Sequence, residues 1–376
     1  MMIYLDNAAT SKVEESVLTT FLEINREYYG NASSNHRFGF DSSKLLNTSR
    51  DQILKLLGLN DEYEVIFNSG ATEGNNEAIK GVAFGYLNRG KHLITTKVEH
   101  PSVLETFAQL EKEFGFEVTY LDVNHDGSLD INELIDAIRK DTILVSIMAI
   151  NNETGAINNI NEIAKVIANY PKIFFHCDTT QAIGKIDLPL NKIDMFVISA
   201  HKIHGIKGSG ALIKRKQIKL MPLLNGGGQE NGYRSGTSNV AANVVLAKTL
   251  RLMLENHDYK LKHIQELNKH LKESLSTIDD VEINSPVNSS PYVINFSLKM
   301  HKASVVVEAL SNHDIMVSTT SACSSKSHQS SHVLRAMGMD NRRASNSIRV
   351  SFAYYNTVEE IDQFVMTLEN ILNTIR

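Results

Sequence analysis

The sequence VISAHKIHGIKGSG, residues 197–210, has an apolar strand-like run, a Ser-Ala-His-Lys turn and a glycine-rich return that leads into a second strand. Lys202 follows the apolar run directly. A lysine at the end of a buried strand is a poor structural choice, but desolvation there lowers its pKa and frees the amine to act as a nucleophile. The glycine spacing does not fit the dinucleotide fingerprint, and the return joins two strands without the helix that this motif requires. The region is also basic, and most lysines are simply solvated, so the stretch alone favours an ordinary lysine and a nucleophilic role for Lys202 depends on the residues around it.

Strand and helix patterns alternate along the chain before this stretch, from a helical pattern at residues 42–57 to the apolar strand at 195–199. Alternation with apolar strands predicts an α/β fold whose mainly parallel sheet, of a seven-stranded type, is covered by helices on both faces. Ligands in such sheets bind at the carboxyl ends of the strands. Several polar residues follow predicted strands and are therefore site candidates: Thr72, His100, Asn152, Asp178 and Lys202.

The pattern changes after a long helical segment at residues 241–278, where short strands and helices predict a smaller α+β domain. We therefore predict an N-terminal arm at residues 1–15 that joins the small domain, a large domain at 16–258 and a small domain at 259–376.

The composition excludes several classes of protein. The chain has 376 residues, of which 42% are hydrophobic, and a net charge of −5, so no general attraction to nucleic acid or to acidic lipid is expected. Its two cysteines cannot form a disulfide framework, which favours a cytoplasmic location. Neither a signal peptide nor a membrane-spanning segment is predicted.

Residues 122–133 satisfy the EF-hand calcium-loop pattern, from Asp122 to Glu133. An EF-hand needs a helix before the loop, whereas residues 117–121 are typical of a strand. We interpret Asp126-Gly127 as a turn and Asp130 as the N-cap of the next helix, and we predict no metal site.

Three further features of the sequence match what pyridoxal 5'-phosphate needs from a protein besides a lysine. Asp178 ends an apolar strand, where a pyridinium nitrogen would offset the cost of burying its carboxylate, although a lone aspartate there is more often a cap or a turn residue. Residues 69–73 join a strand to a helix whose N-terminus could receive a phosphate. His100 could stack on the cofactor ring or be an ordinary loop histidine. Asn152 and Gln181 are neutral donors suited to a phenolic oxygen.

A set of motifs occurs in order along nearly the whole chain. The motifs are Asp6-Asn7-Ala8-Ala9-Thr10, Gly70-Ala71-Thr72-Glu73, Glu99-His100, Asn151-Asn152-Glu153-Thr154-Gly155, Asp178-x-x-Gln181, His201-Lys202, Arg234-Ser235-Gly236-Thr237, Ser321-Ala322-Cys323 and Ser347-Ile348-Arg349. Together they resemble class V, fold-type I pyridoxal-phosphate enzymes, specifically cysteine desulfurases of the NifS/IscS type. The long segment between Cys323 and Arg349 is similar to that of group I of these enzymes.

The resemblance implies a role for each candidate residue. Lys202 would form the Schiff base with the cofactor, Asp178 would hold the ring nitrogen, and His100 would lie on the ring face. Asn152 and Gln181 would lie near the phenolic oxygen. The implied phosphate ligands are Ala71, Thr72, Ser199, His201 and, from the neighbouring subunit of a homodimer, Thr237. The implied substrate-binding residues are Arg349, whose guanidinium suits a carboxylate, with Asn31 and His36.

Cys323 lies in a polar, serine-rich segment without apolar periodicity, which predicts an exposed and mobile loop. The resemblance implies that its thiolate attacks the sulfur of L-cysteine, so that L-alanine leaves and a persulfide remains for transfer to an acceptor protein. Cys177, on an apolar strand, is interpreted as a buried structural residue.

Other interpretations stay open on the sequence alone. Within the same fold they are a selenocysteine lyase and a class V aminotransferase. Outside it they are a calcium-dependent regulator built on residues 122–133 and a sulfur-carrying scaffold without its own cysteine activity. The use of the sulfur is also open between iron-sulfur cluster assembly, tRNA thiolation and cofactor thiolation such as thiamin synthesis.

Overall fold

The computed structural model describes residues 2–319 and 330–374. Its strands are β1 (Ile3–Tyr4), β2 (Tyr63–Asn68), β3 (His92–Thr96), β4 (Glu117–Leu121), β5 (Thr142–Ser146), β6 (Phe174–Cys177), β7 (Met195–Ser199), β8 (Gly210–Arg215), β9 (Val281–Ile283), β10 (Val293–Leu298), β11 (Ile315–Met316), β12 (Ser318–Thr319) and β13 (Ser347–Ser351). Its α-helices are α1 (Glu15–Glu27), α2 (Arg37–Leu56), α3 (Ala71–Gly85), α4 (Pro101–Phe114), α5 (Ile131–Ala137), α6 (Ile160–Ile167), α7 (Val240–Leu254), α8 (His257–Leu275), α9 (Ala303–Asn312), α10 (His332–Ala336), α11 (Asn341–Ser345) and α12 (Val358–Thr374).

A seven-stranded sheet forms the centre of the fold, in the order β2-β8-β7-β6-β5-β3-β4. Strand β8 runs antiparallel to both of its neighbours, whereas the other adjacent pairs are parallel. The predicted α/β fold with a mainly parallel sheet is therefore confirmed. Because the parallel strands share one direction, their carboxyl ends meet at one edge of the sheet.

Both faces of this sheet are covered by packed apolar side chains. Successive residues of one strand belong to different core clusters: Phe196 and Ile198 pack into one cluster, and Val197 between them packs into the other. This alternation follows from the period of two of a strand, and burial on both faces explains why these strands are continuous apolar runs.

A second, antiparallel sheet has the order β12-β13-β10-β9, and β1 pairs in parallel with β11. The N-terminal strand thus joins the part of the chain that follows residue 258. The division into domains stays a prediction. The single helical segment predicted at 241–278 is wrong in one respect, because α7 ends at Leu254, Glu255 is extended with ψ 130°, Asn256 is left-handed with φ 53°, and α8 begins at His257.

Residues 122–133, which match the EF-hand loop pattern, have the strand and the helix cap that were interpreted from the sequence. Strand β4 leads into this segment, and the side chain of Asp130 accepts a hydrogen bond from the Asn132 backbone and caps α5. Asp122 pairs instead with Lys97, at 2.6 Å. Within residues 2–319 and 330–374 no group of three or more histidine, cysteine, aspartate or glutamate side chains could hold a metal ion. No helix of that same part of the chain is long and apolar enough to cross a membrane.

Candidate active site

One cavity of about 450 Å³ opens at the carboxyl ends of the central strands. Its wall contains most of the residues singled out in the sequence, and Arg349 reaches it from strand β13. Besides Met148 and Ile150, the residues that line the cavity are Ala8, Ala9, Thr10, Ser69, Gly70, Ala71, Thr72, Glu73, His100, Asn152, Asp178, Thr180, Gln181, Ser199, His201, Lys202, Lys207, Gly208 and Arg349.

Lys202 lies in the 3₁₀ turn Ala200–Lys202, which directly follows strand β7. Its Nζ donates hydrogen bonds to the carbonyl oxygens of Ala8 at 2.7 Å and Ala9 at 2.8 Å. The N-terminal arm therefore holds the Lys202 amine in the cavity. The residues in contact are almost two hundred positions apart in the sequence. Both of these acceptors are backbone carbonyl oxygens of the arm.

Asp178 follows strand β6 and is only 5% exposed. Its Oδ2 accepts a hydrogen bond from Asn75 Nδ2 at 2.8 Å, and its Oδ1 accepts one from the Thr180 backbone N–H at 2.9 Å. Sequence reasoning missed Asn75. A signal was present, since Asn75 lies four positions after Ala71 and so shares a face of α3 with it.

The start of α3 is a place where backbone N–H groups could bind an anion. Gly70 has φ 144° and ψ −178°, a conformation that favours glycine, and no side chain caps the helix. The first N–H groups of a helix have no intrahelical partner, so those of Ala71 and Thr72 remain available to a phosphate. Gly210 permits this close packing, because a Cβ there would lie 2.5 Å from Gly70 Cα.

Polar side chains from the end of β7 and from the turn that follows it line the cavity together with this helix start. Ser199 is buried, with its Oγ 3.3 Å from the position that a Cβ on Gly70 would take. His201 Nδ1 is 3.2 Å from Thr10 Oγ1. Burial, reinforced by the charges of Lys202 and other lysines, lowers the pKa of His201 to about 4. His201 is therefore a neutral hydrogen-bonding group at neutral pH.

His100 lines the cavity and also caps α4. Its Nδ1 accepts a hydrogen bond from the Ser102 backbone N–H at 3.1 Å. Burial lowers the pKa of His100, so the ring is neutral at pH 7. Its neighbour Glu99 is fully buried, which raises the pKa of its carboxyl to about 8. His100 can therefore cap α4 and still present its imidazole ring to the cavity.

Arg349 is 4% exposed, and two groups of this chain hold it. Its guanidinium donates to the Asn152 carbonyl oxygen at 3.0 Å and to Asp6 Oδ1 at 2.9 Å. Its buried Nε has no hydrogen-bond partner among the described residues. An unpaired buried donor is unfavourable, so an anionic ligand at this wall would relieve a cost already present.

Gln181 also reaches the N-terminal arm. Its Nε2 donates to the Ala8 carbonyl oxygen at 3.0 Å, and its Oε1 accepts from Lys185 Nζ at 2.9 Å. Asp6, Ala8 and Lys185 were not assigned roles from the sequence, because their contacts depend on how distant segments pack.

Three predicted residues do not reach this cavity within one chain. Thr237 is exposed and lies in a neighbouring depression that shares Ser69 and Gly208 with the cavity wall. Asn31 is exposed and accepts from the Ser33 backbone N–H. His36 is exposed and caps α2. Cys323 and its predicted loop lie outside the described residues.

The donor set fits a phosphorylated, carbonyl-bearing pyridine such as pyridoxal 5'-phosphate. An uncapped helix start could hold the phosphate, Asp178 could hold a protonated ring nitrogen, and Lys202 could bond to the carbonyl carbon. The unpaired Arg349 Nε offers a further place for a carboxylate.

Comparisons with known proteins agree with this geometry. Residues 3–364 match the family described as aminotransferase class-V. A Dictyoglomus turgidum protein named cysteine desulfurase IscS is 42% identical over 378 residues, covering 100% of this chain and 95% of that protein. A NifS/IcsS protein homolog of Lactobacillus delbrueckii is 41% identical over 375 residues, covering 98% and 97% of the two chains.

Solved structures give the same result. One titled "NIFS-LIKE PROTEIN" is 37% identical, with a TM-score of 0.93 and complete coverage of both chains. Another, titled "SspA in complex with cysteine", is 32% identical, with a TM-score of 0.82 and coverage of 94% of this chain and 100% of that one. The predicted family is confirmed: the chain is an enzyme of the aminotransferase class-V family, in its NifS/IscS group of cysteine desulfurases.

Proposed function

We propose that this chain converts L-cysteine to L-alanine with pyridoxal 5'-phosphate bound at Lys202, and transfers the sulfur to Cys323 as a persulfide. The observation that carries this proposal is the cavity in which Lys202, Asp178, the start of α3 and Arg349 lie together. The Dictyoglomus turgidum relative named cysteine desulfurase IscS and the solved structure titled "SspA in complex with cysteine" support L-cysteine as the substrate.

The cofactor, when bound, withdraws electrons from the substrate carbon that bears its amino group. We assign its phosphate to the backbone of Ala71 and Thr72, with Ser199 and His201 beside them. Asp178 is suited to the ring nitrogen because Asn75 and the Thr180 backbone hold both of its oxygens in place. His100 would cover one ring face.

Two residues of the chain act on the substrate itself. Arg349 binds the carboxylate, for which its planar guanidinium provides paired N–H donors. Lys202 would take the proton from the substrate Cα and return it, because its amine lies in the cavity lining, where the carbonyl oxygens of Ala8 and Ala9 hold it.

Cys323 would receive the sulfur. Its thiolate forms a bond to the substrate sulfur while the bond from that sulfur to Cβ breaks, and the electron pair of the broken bond stays with the carbon skeleton. Protonation of that carbon gives alanine. The persulfide is then passed to an acceptor protein for iron-sulfur cluster assembly or for thiolation of tRNA or a cofactor, in the cytoplasm.

A homodimer is part of this proposal. Thr237 is exposed beside the cavity wall and would serve the neighbouring subunit's phosphate site. Large apolar side chains are also exposed on and near α1 and α2, a feature typical of a surface covered by a partner. They include Leu22 at 52%, Tyr29 at 76% and Phe40 at 61% exposure.

A product assay tests the proposed function. The purified chain, loaded with pyridoxal 5'-phosphate, is incubated anaerobically with L-cysteine and a reductant. We expect alanine and sulfide in equal amounts. The class V aminotransferase alternative predicts instead that alanine is absent and that amino groups move to an added 2-oxo acid. Faster alanine formation from selenocysteine than from cysteine would favour the selenocysteine lyase alternative.

The substitution Arg349→Lys is expected to raise KM for L-cysteine about 10–100-fold, because a lysine cannot provide the paired donors of a guanidinium. Steady-state alanine formation measures this change. Arg342→Lys is the matched control, since Arg342 lies on the surface and pairs with Glu282. An unchanged KM in Arg349→Lys would remove Arg349 from the substrate site.

A further inference from the structure

Lys185 is a second lysine close to the cavity, and it is only 6% exposed. The charged groups that act on it, Lys202 and Arg349, are both cationic. Burial, followed by these two charges, lowers the pKa of Lys185 to about 7. The apolar neighbour of its Nζ is the Tyr292 ring, 5.5 Å away. A lysine in such surroundings is unfavourable for folding, which indicates a role in the site.

The contact of Lys185 determines how an amide of the cavity wall is oriented. Lys185 Nζ donates to Gln181 Oε1 at 2.9 Å, and in its ammonium form Nζ has no acceptor, so this form favours the amide oxygen at that place. Gln181 Nε2 therefore faces the other way and donates to the Ala8 carbonyl oxygen at 3.0 Å. That same oxygen accepts from Lys202 Nζ at 2.7 Å. One hydrogen-bonded chain thus joins Lys185 to Lys202.

Gln181 lines the cavity, and its amide nitrogen has two N–H groups. One of them is used by Ala8, so the other is available to an acceptor in the cavity. We propose that Lys185 is a positioning residue that holds the Gln181 amide with its nitrogen toward Ala8 and the cavity, where an N–H group meets the phenolic oxygen of the bound cofactor. This inference rests on the proposed function.

Lys185 acts only through Gln181, so loss of its side chain leaves Oε1 without its donor and lets the amide rotate away. The hydrogen bond from the Gln181 N–H to the phenolic oxygen is then weakened. This changes the visible absorption of the bound cofactor and the pH at which that absorption titrates. The charged and titratable groups that face Lys185 are Lys202 and Arg349, with His201 and His204 from the segment after β7 and Tyr292, whose pKa burial raises to about 12.

A double-mutant cycle tests the inference on the cofactor-loaded protein. The variants are Lys185→Met, Gln181→Leu and the two combined, and the readout is the midpoint of the spectral pH titration, with the unfolding temperature recorded in parallel. We expect Lys185→Met to shift the midpoint by about 0.5–1 unit, in the same direction as Gln181→Leu. In the Gln181→Leu background, Lys185→Met is expected to add no further shift.

The matched control is Lys192→Met, which removes an exposed lysine that also donates to an amide oxygen, that of Asn161 at 2.6 Å. Its midpoint is expected to equal that of the wild type. A wild-type midpoint in Lys185→Met overturns the inference, and so does an equal shift with and without Gln181, which would mean that the charge acts directly. A wild-type chain that takes up no cofactor overturns the proposed function and this inference with it.

Discussion

The variant Lys202→Ala is expected to fold but to lose covalent attachment of the cofactor and nearly all alanine formation. The variant lacks both the amine that bonds to the cofactor and the base for the substrate Cα proton. Loss of such a base alone lowers rates by roughly 10²–10⁴-fold. The measurements are the alanine formed per unit time and the mass of the chain after borohydride treatment, which fixes a lysine-bound cofactor irreversibly.

Lys216→Ala is the control for this prediction, because Lys216 is exposed at the end of strand β8 and lies outside the cavity lining. It is expected to keep the borohydride-stable mass increase and the wild-type rate. The role of Lys202 would be wrong if Lys202→Ala kept that mass increase at another lysine and still formed alanine.

The variant Cys323→Ala is expected to bind the cofactor as the wild type does but to form alanine at least about 10³-fold more slowly, because the sulfur has no acceptor thiolate. The absorption of the bound cofactor should be preserved, since that absorption depends on the cavity wall formed by residues such as Asp178 and Lys202. Alanine formation and the visible spectrum are measured on the same sample.

Cys177→Ala provides a matched control, since it removes the other cysteine of the chain. Cys177 is fully buried, and burial together with the carboxylates of Asp178 and Glu99 raises the pKa of its thiol. Such a thiol is a poor nucleophile, so alanine formation should stay near the wild-type rate. Equal activity of Cys323→Ala and wild type would contradict the assignment of the sulfur acceptor.

Much of the architecture could be predicted from local patterns. The inner strands of the large sheet are mostly apolar, and β2, β6 and β7 lead directly into the segments that the sequence singled out. Lys202, Asp178 and the start of α3 were found for this reason, since parallel strands bring their carboxyl ends to one edge. Arg349 was found from its place on a short alternating strand together with the family motif.

Contacts between distant segments could not be read from the sequence. Asn75 bonds to Asp178 from a different strand-helix unit, and Asp6 reaches Arg349 from the other end of the chain. No local pattern encodes such pairs. The break between α7 and α8 was missed for a different reason, because it depends on the backbone of two residues, the extended Glu255 and the left-handed Asn256, which carry no strong sequence signal for a helix end.

A single turnover of the cofactor-loaded protein with sulfur-labelled L-cysteine, in the absence of reductant, tests the central claim most directly. The account predicts that the label is recovered on the peptide that contains Cys323, with one alanine formed for each sulfur transferred. It would be contradicted by alanine formation without label on Cys323, or by transfer of the amino group to the cofactor with no alanine formed.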